Sequence, residues 1–221
     1  TKVLDLKGKV VLPGMIDTHV HRAGTALTEL YDIYLYEETT KEDTLAAIKE
    51  FIVANPELDV YWGAGFSMGM AGNPRGPKKE WLDEICPDKP IILTSNDGHN
   101  KWLNSKALEM NGITKDTVAP TGGTIQKDPA TGELWGTLTD ASSLIIMQQT
   151  YEDWQLTEAM AYFQDYMNAY GFTTIMSIAD TYLDAFKELD DAGKLTMRVN
   201  AGMTFEPEEP LESQMAEMNA I

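Results

Sequence analysis

Apolar and polar side chains alternate along residues 15–21, directly after a Pro-Gly turn. Alternation with a period of two residues predicts a β-strand that has one polar face. That face carries Asp17, His19 and His21. The two histidines therefore stand near the carboxyl end of the predicted strand.

The last third of the chain has a repeating strand and helix pattern. Apolar residues recur at helical spacing from residue 155 up to Gly171, and again around residues 183–189 and 211–218. Residues 172–178 and 195–205 have the composition of strands. Strands and helices that alternate at this spacing predict a parallel α/β architecture.

The middle of the chain is more varied. Thr39 and Glu42 have the spacing of a capping box, which predicts the start of a helix. Short strands are predicted at residues 60–62 and 91–94. Residues 111–136 are rich in Gly and Thr and are predicted to form a loop.

The composition is that of a folded and strongly acidic protein. The chain has 221 residues, 43% hydrophobic content and a formal net charge of −18. This charge repels nucleic-acid phosphates and anionic membrane surfaces, so we expect neither as a partner. No apolar run approaches the roughly 20 residues that span a bilayer. The single cysteine, Cys86, permits no internal disulfide, and we expect a reducing, cytoplasmic location.

The spacing of His19 and His21 suits a metal site. Side chains two residues apart on a strand point the same way, with Cβ atoms about 6.5–7 Å apart. Imidazoles at that separation can converge on one metal ion through bonds of about 2.0–2.1 Å. Asp17 lies on the same face, where it can orient a ligand. The alternative is a solvated strand face on which two histidines fall by chance.

These residues also belong to a longer pattern. Residues 5–21 resemble the PGxxDxHxH signature of the amidohydrolase superfamily. Within it, the chain is similar to amidohydrolase family 3, the branch that includes N-substituted formamide deformylase. Residues 62–66 resemble its W-x-G-x-G-aromatic segment, and residues 97–108 resemble its DGHxxWxNSxAL run. Residues 122–138 and 171–174 resemble its GGxI…D…G…GxL and G-[IV]-T-[ST] segments.

The resemblance implies a fold. Members of the family have a (β/α)8 barrel, and we expect residues 1–27 and 156–221 to form a partial barrel of about three strands. Residues 28–155 are then a large inserted α+β subdomain that follows the first strand.

The resemblance also implies a chemistry. A metal-bound hydroxide, usually on zinc, attacks the carbonyl of an amide-type group in a small, non-peptide substrate, and the C–N bond is then broken. His19 and His21 correspond to metal ligands. Asp17 is expected to orient a ligand without binding the metal itself. His99 corresponds to the histidine of the DGH segment and is expected in the pocket, where it contacts substrate. The alternative for His99 is a turn histidine that caps local backbone after Asp97.

The chain departs from the family pattern in one respect. It has three histidines, and the family's later metal ligands are expected beyond Ile221. We therefore expect part of a longer enzyme, with weak or absent metal binding and no useful hydrolysis by this chain alone. Uncovered apolar faces of a partial barrel predict association into a homo-oligomer. A non-catalytic binding or assembly module that retains the family sequence is the alternative.

Overall fold

A computed structural model describes residues 3–20, 22–177, 182–202 and 209–218. The chain divides into two compact units. The first unit combines residues 1–26 with residues 151–221, and the second unit comprises residues 27–150.

The elements follow one another in mixed order along the chain. The strands are β1 (Met15–Val20), β2 (Ile33–Tyr34), β3 (Tyr61–Phe66), β4 (Ile91–Ser95), β5 (Asn100–Leu103), β6 (Thr124–Lys127), β7 (Leu134–Thr139), β8 (Phe172–Ser177) and β9 (Arg198–Ala201). The helices are α1 (Arg22–Tyr31), α2 (Lys41–Ala54), α3 (Lys79–Asp83), α4 (Ser105–Met110), α5 (Asp153–Ala169), α6 (Leu183–Asp191) and α7 (Leu211–Met218). In the described part of the chain, no helix combines the length and the apolar character that crossing a membrane requires.

The first unit contains a parallel sheet in the order β1-β8-β9. Helix α5 leads into β8, and α6 connects β8 to β9. This arrangement confirms the parallel α/β architecture that the alternating pattern predicts. Strand β9 covers only part of the predicted strand 195–205, of which residues 203–205 lie outside the described residues.

Helices α5 and α6 pack through apolar side chains spaced three or four residues apart. Met160, Phe163 and Met167 of α5 are buried. The rings of Phe163 and Phe186 meet edge to face, with centroids 6.3 Å apart. The apolar face of α5 is therefore covered within the first unit, so the exposure expected for partial-barrel helices does not apply to it.

The second unit is built on a six-stranded mixed sheet in the order β2-β3-β4-β5-β7-β6. Strands β2, β3 and β4 are parallel, and the remaining pairings are antiparallel. One face, packed against α2 and α3, buries Ile33, Leu35, Ile48, Tyr61, Phe66, Leu82, Ile91, Leu93 and Trp102. The other face, packed against α4, buries Ile92, Leu103, Ala107, Leu108, Ile113, Ile125, Leu138 and Ala141.

The two ends of the second unit meet. Gln149 Nε2 donates a hydrogen bond to Asp32 Oδ2 at 2.9 Å, although 117 residues separate the two positions. The second unit, which separates the two parts of the first unit in sequence, thus begins and ends close together in space.

Two local predictions are wrong. Helix α2 is capped by Thr40, whose side chain accepts from the N–H of Asp43, and Thr39 lies one residue too early. Either threonine offers the same hydroxyl, and the local sequence does not distinguish them. Residues 111–136 are not all loop, because β6 and the start of β7 form an antiparallel hairpin there. Pairing between distant strands, rather than local composition, organises that segment.

Candidate functional site

Strand β1 carries the predicted metal-binding face, and it is not regular. Asp17 pairs with Ile175 of β8, and Val20 pairs with Ser177. Three steps along β1 therefore match two steps along β8, so that one extra residue forms a bulge that includes His19. Bulges redirect side chains near sheet ends and often lie beside functional sites. Strict alternation through His19, as the sequence pattern predicts, is thus interrupted.

The carboxylate of Asp17 stabilises this bulge. Its Oδ1 accepts a hydrogen bond from the backbone N–H of His19 at 3.0 Å. Asp17 is half-buried, whereas the side chain of His19 is exposed. His21 lies outside the described residues, so the shared orientation of the two imidazoles stays a prediction.

The turn before β1 is held against the start of β8. Met15 donates its backbone N–H to the carbonyl of Gly171 at 2.9 Å. Gly14 lies so close to Thr173 that an added Cβ would approach the Thr173 Cβ to 2.8 Å. The lack of a side chain at Gly14 therefore allows the turn before β1 to approach β8 this closely.

The described side chains supply a metal site only in part. Imidazole nitrogen is a donor that zinc prefers, so the chemistry of His19 fits such an ion. Structural and catalytic zinc sites take three or four protein ligands. Among residues 3–20, 22–177, 182–202 and 209–218, no three His, Cys, Asp or Glu side chains lie together in a way that could hold a metal ion.

His99 lies in the second unit, at the edge where the parallel strands β3 and β4 end. It directly precedes β5, whose Asn100 pairs with Thr139 of β7. His99 Nδ1–H donates to Asp140 Oδ1 at 2.7 Å, and the two side chains are 68% and 52% exposed. The hydrogen bond and the charge of Asp140 raise the pKa of His99 above its usual value.

Asp97 organises the turn that presents His99. Its Oδ1 accepts from the Ser95 hydroxyl, from the His99 backbone N–H at 3.0 Å and from Asn100 Nδ2 at 3.4 Å. The Ser95 hydroxyl is the main reason that the pKa of Asp97 is lowered, and the His99 N–H and the Asn100 amide add to it against the effect of burial. Asp97 therefore remains ionised and keeps the turn closed.

The remaining polar residues of the 97–108 run have structural partners. Trp102 is buried and its Nε1–H donates to the carbonyl of Lys78 at 3.0 Å. Asn104 is buried and caps α4 by accepting from the N–H of Ala107 at 2.8 Å. In contrast, His99 presents its ring to solvent.

Sequence reasoning missed Asp140. The residue follows β7, a strand that the sequence pattern did not predict, and it lies 41 positions from His99. Only the antiparallel pairing of β5 with β7 brings the two side chains together. A polar residue just after an apolar run was the sole local signal.

Comparison with known proteins agrees with this architecture. A sequence profile described as the amidohydrolase family matches residues 2–220. The putative amidohydrolase YtcJ of Bacillus subtilis is 34% identical over 166 residues, which cover 72% of this chain and 31% of YtcJ. N-substituted formamide deformylase of Arthrobacter pascens is 28% identical over 203 residues, which cover 88% of this chain and 37% of that enzyme.

A solved structure shares the fold. The crystal structure of an uncharacterized metal-dependent hydrolase from Pyrococcus horikoshii superposes with a TM-score of 0.58 at 18% sequence identity, and the match covers 94% of this chain and 38% of that one. The chain belongs to the amidohydrolase family. It spans at most half the length of the curated relatives that it matches.

Proposed function

We propose that this chain forms part of a metal-dependent amidohydrolase that cleaves amide-type C–N bonds in small, non-peptide molecules. One observation carries the proposal. His19 stands near the carboxyl end of β1, a strand of a parallel sheet, in a chain that matches the family over residues 2–220. Parallel α/β folds build their active sites at the carboxyl ends of their strands.

In this proposal the first unit is the beginning of a (β/α)8 barrel. Strands β1, β8 and β9 are its first three strands, and they are neighbours in the order that such a barrel requires. Residues 1–27 and 156–221 belong to the barrel, and residues 28–155 are the insertion after its first strand. The division of the chain into two compact units supports this assignment.

His19 and His21 are the two metal ligands that this chain contributes, and zinc is the expected ion. When bound, a zinc ion acts as a Lewis acid and lowers the pKa of a coordinated water molecule. Asp17 fixes the backbone at His19 through the 3.0 Å hydrogen bond, which sets the direction of the imidazole. His99 is the substrate-contacting residue that the second unit supplies.

The proposal includes the remaining expectations from the sequence. Further metal ligands come from the longer protein, so this chain alone binds metal weakly and hydrolyses nothing at a useful rate. The protein is cytoplasmic and associates through apolar surface of the first unit. Ile16 and Leu211, which are 63% and 57% exposed, support that surface.

The decisive experiment uses the full-length protein that contains this chain. It is purified without chelators, its metal content is measured by mass spectrometry, and a panel of N-formyl and N-acyl amines is assayed for hydrolysis. We expect a bound divalent metal and cleavage of at least one amide. His19→Ala and His21→Ala should each lose metal and activity together, whereas the matched variant His99→Ala should keep the metal.

A full-length protein that takes up no divalent metal would overturn the proposal. The alternative, a non-catalytic binding or assembly module, would then be favoured. Retention of both metal and turnover in His19→Ala would remove His19 from the site while leaving the family assignment intact.

A further inference from the structure

The 97–108 run separates into two kinds of residue. Asn100, Trp102 and Asn104 are buried and bonded within the second unit. The imidazole of His99 is exposed, yet three hydrogen bonds hold this residue in place. An exposed side chain that is fixed in this way is poised for contact with a molecule outside the fold.

The three hydrogen bonds of His99 come from two directions. Its backbone N–H donates to Asp97 Oδ1 at 3.0 Å, and its carbonyl accepts from the backbone N–H of Asp140 at 2.9 Å. Its ring Nδ1–H donates to Asp140 Oδ1 at 2.7 Å. Asp140 therefore fixes both the backbone and the ring, and Nε2 lies on the opposite side of the ring.

The position of Asp140 is itself specified by the backbone. Asp140 has φ of 47°, in the left-handed region that Asp and Asn tolerate better than most residues. Gly123, which precedes β6, packs directly against it, and an added Cβ at Gly123 would lie 2.6 Å from the Asp140 carbonyl oxygen. The backbone of Asp140, from which its carboxylate projects, is thus fixed by its own left-handed conformation and by the close approach of Gly123.

The charges around the ring favour its protonated form. Asp140 and Asp97 are the ionisable groups that act on His99, and both carboxylates raise its pKa. The nearby ammonium of Lys101 is turned to another partner, the hydroxyl of Thr94 at 2.7 Å. A protonated imidazole carries N–H on both nitrogens.

We propose that Asp140 is a positioning residue that holds His99 through Nδ1, so that Nε2–H donates a hydrogen bond to an acceptor oxygen of the substrate. The inference rests on the proposed function, because it assigns His99 to the substrate of that same hydrolase. It specifies the group that the ring would recognise, a hydrogen-bond acceptor oxygen of the carbonyl or carboxylate type. Removal of Asp140 weakens substrate binding without touching the metal.

The first test concerns the pair alone and uses the 221-residue chain, which has three histidines. NMR titration of the imidazole resonances, assigned through His99→Ala, follows each histidine separately. In Asp140→Asn the midpoint of His99 should move to lower pH, because the carboxylate that raises its pKa is gone. Asn preserves the left-handed backbone, and Asp128→Asn serves as the matched control because Asp128 caps the turn between β6 and β7, at the opposite end of β7 from Asp140. An unchanged His99 midpoint in Asp140→Asn would overturn the pairing.

The second test concerns the substrate and uses the full-length hydrolase. Loss of one charge-assisted hydrogen bond, worth about 1.5 kcal/mol, predicts a roughly tenfold rise in KM for His99→Ala. Asp140→Asn should raise KM by several fold, and its KM should begin to rise at lower pH than that of the wild type. His99→Gln, which retains an uncharged N–H donor, should recover part of the loss and remove this pH dependence. Bound metal should be equal in all variants.

The outcomes separate the inference from the proposed function. A protein without any hydrolase activity rejects the proposed function, and the NMR titration still decides the pairing of Asp140 with His99. An active protein whose KM and pH profile are unchanged in Asp140→Asn rejects the inference and leaves the hydrolase assignment standing.

Discussion

Asn104 Oδ1 accepts a hydrogen bond from the backbone N–H of Ile91 at 3.1 Å, which joins the first residue of β4 to the cap of α4. The same oxygen accepts from Ala107, and Nδ2 of Asn104 donates to the carbonyls of Cys86 and Lys89 at 2.9 and 2.8 Å. A single buried amide thus satisfies four backbone groups.

Asn104→Ala should destabilise the second unit by about 2–4 kcal/mol, because it leaves several buried backbone groups without partners. Urea denaturation followed by tryptophan fluorescence measures the change. Asn96→Ala is the control, since Asn96 is an exposed asparagine just after the opposite end of β4, and its effect should stay within about 0.5 kcal/mol. Equal stability of the two variants would show that the Asn104 bonds are replaced by water.

The ionisation of Asp97 makes the stability of the second unit depend on pH. Its folded pKa is lowered, chiefly by the Ser95 hydroxyl, so its contribution to stability is present above the unfolded value of about 3.9. That contribution is lost as the pH falls through the folded pKa. Asp97→Asn should therefore be less stable than the wild type at pH 6, by about 1 kcal/mol, and the difference should shrink toward pH 3.

Urea unfolding at several pH values measures this difference. Asp116→Asn is the control for the loss of one exposed carboxylate. A pH-independent difference for Asp97→Asn would mean that the ionised form of Asp97 is not what closes the turn.

Gly14→Ala should disturb the entry of β1 into the sheet. The new Cβ meets the side chain of Thr173 near its attachment to the backbone, where it has little freedom to move. Overpacking of this kind costs about 1–3 kcal/mol. Thermal unfolding checks the loss, and Thr173→Ala in the Gly14→Ala background should restore part of it. If the double variant regains no stability, the destabilisation by Gly14→Ala arises elsewhere in the turn and not from contact with Thr173.

Metal binding by the 221-residue chain should be weak. Two imidazoles supply fewer ligands than zinc normally takes. Calorimetry should therefore give a binding free energy much weaker than the roughly 10–16 kcal/mol of complete structural zinc sites. His19→Ala should remove the remaining signal, and His99→Ala should leave it unchanged. Tight, stoichiometric binding would show that other residues complete the coordination sphere.

Self-association should depend on the exposed face of β1. Sedimentation at micromolar concentration should show species larger than the 24.6 kDa chain. Ile16→Thr keeps the β-branched shape and should weaken association, whereas Val53→Thr, at another exposed apolar position, should not. A compact monomer in the wild type would reject the prediction.

The sequence predicts the first unit well because its elements are locally encoded. The spacing of Met160, Phe163 and Met167 identifies the buried face of α5, and Gly171 marks its end. The second unit is harder to predict, because β5, β6 and β7 owe their pairing to partners that are distant in sequence. Asp140 was missed for that reason, although the DGH segment made His99 a candidate residue from sequence alone.

At the face that is predicted to bind metal, the sequence located Asp17 and His19 on β1 but predicted strict alternation. The bulge depends on how β1 pairs with β8, and no local pattern of side chains encodes that register. The hydrogen bond from the His19 N–H to Asp17 became apparent only with that pairing.

The contact between Asp32 and Gln149 has a kinetic consequence. Pairing β1 with β8 closes a very long loop, and the entropy lost in closing a loop grows with its length. A second unit that has already folded holds its own ends together and shortens the effective loop, and each halving of that length reduces the cost by about 0.6 kcal/mol. Folding should therefore proceed from the middle of the chain outward, and the strand that carries His19 should find its partner after the second unit is complete.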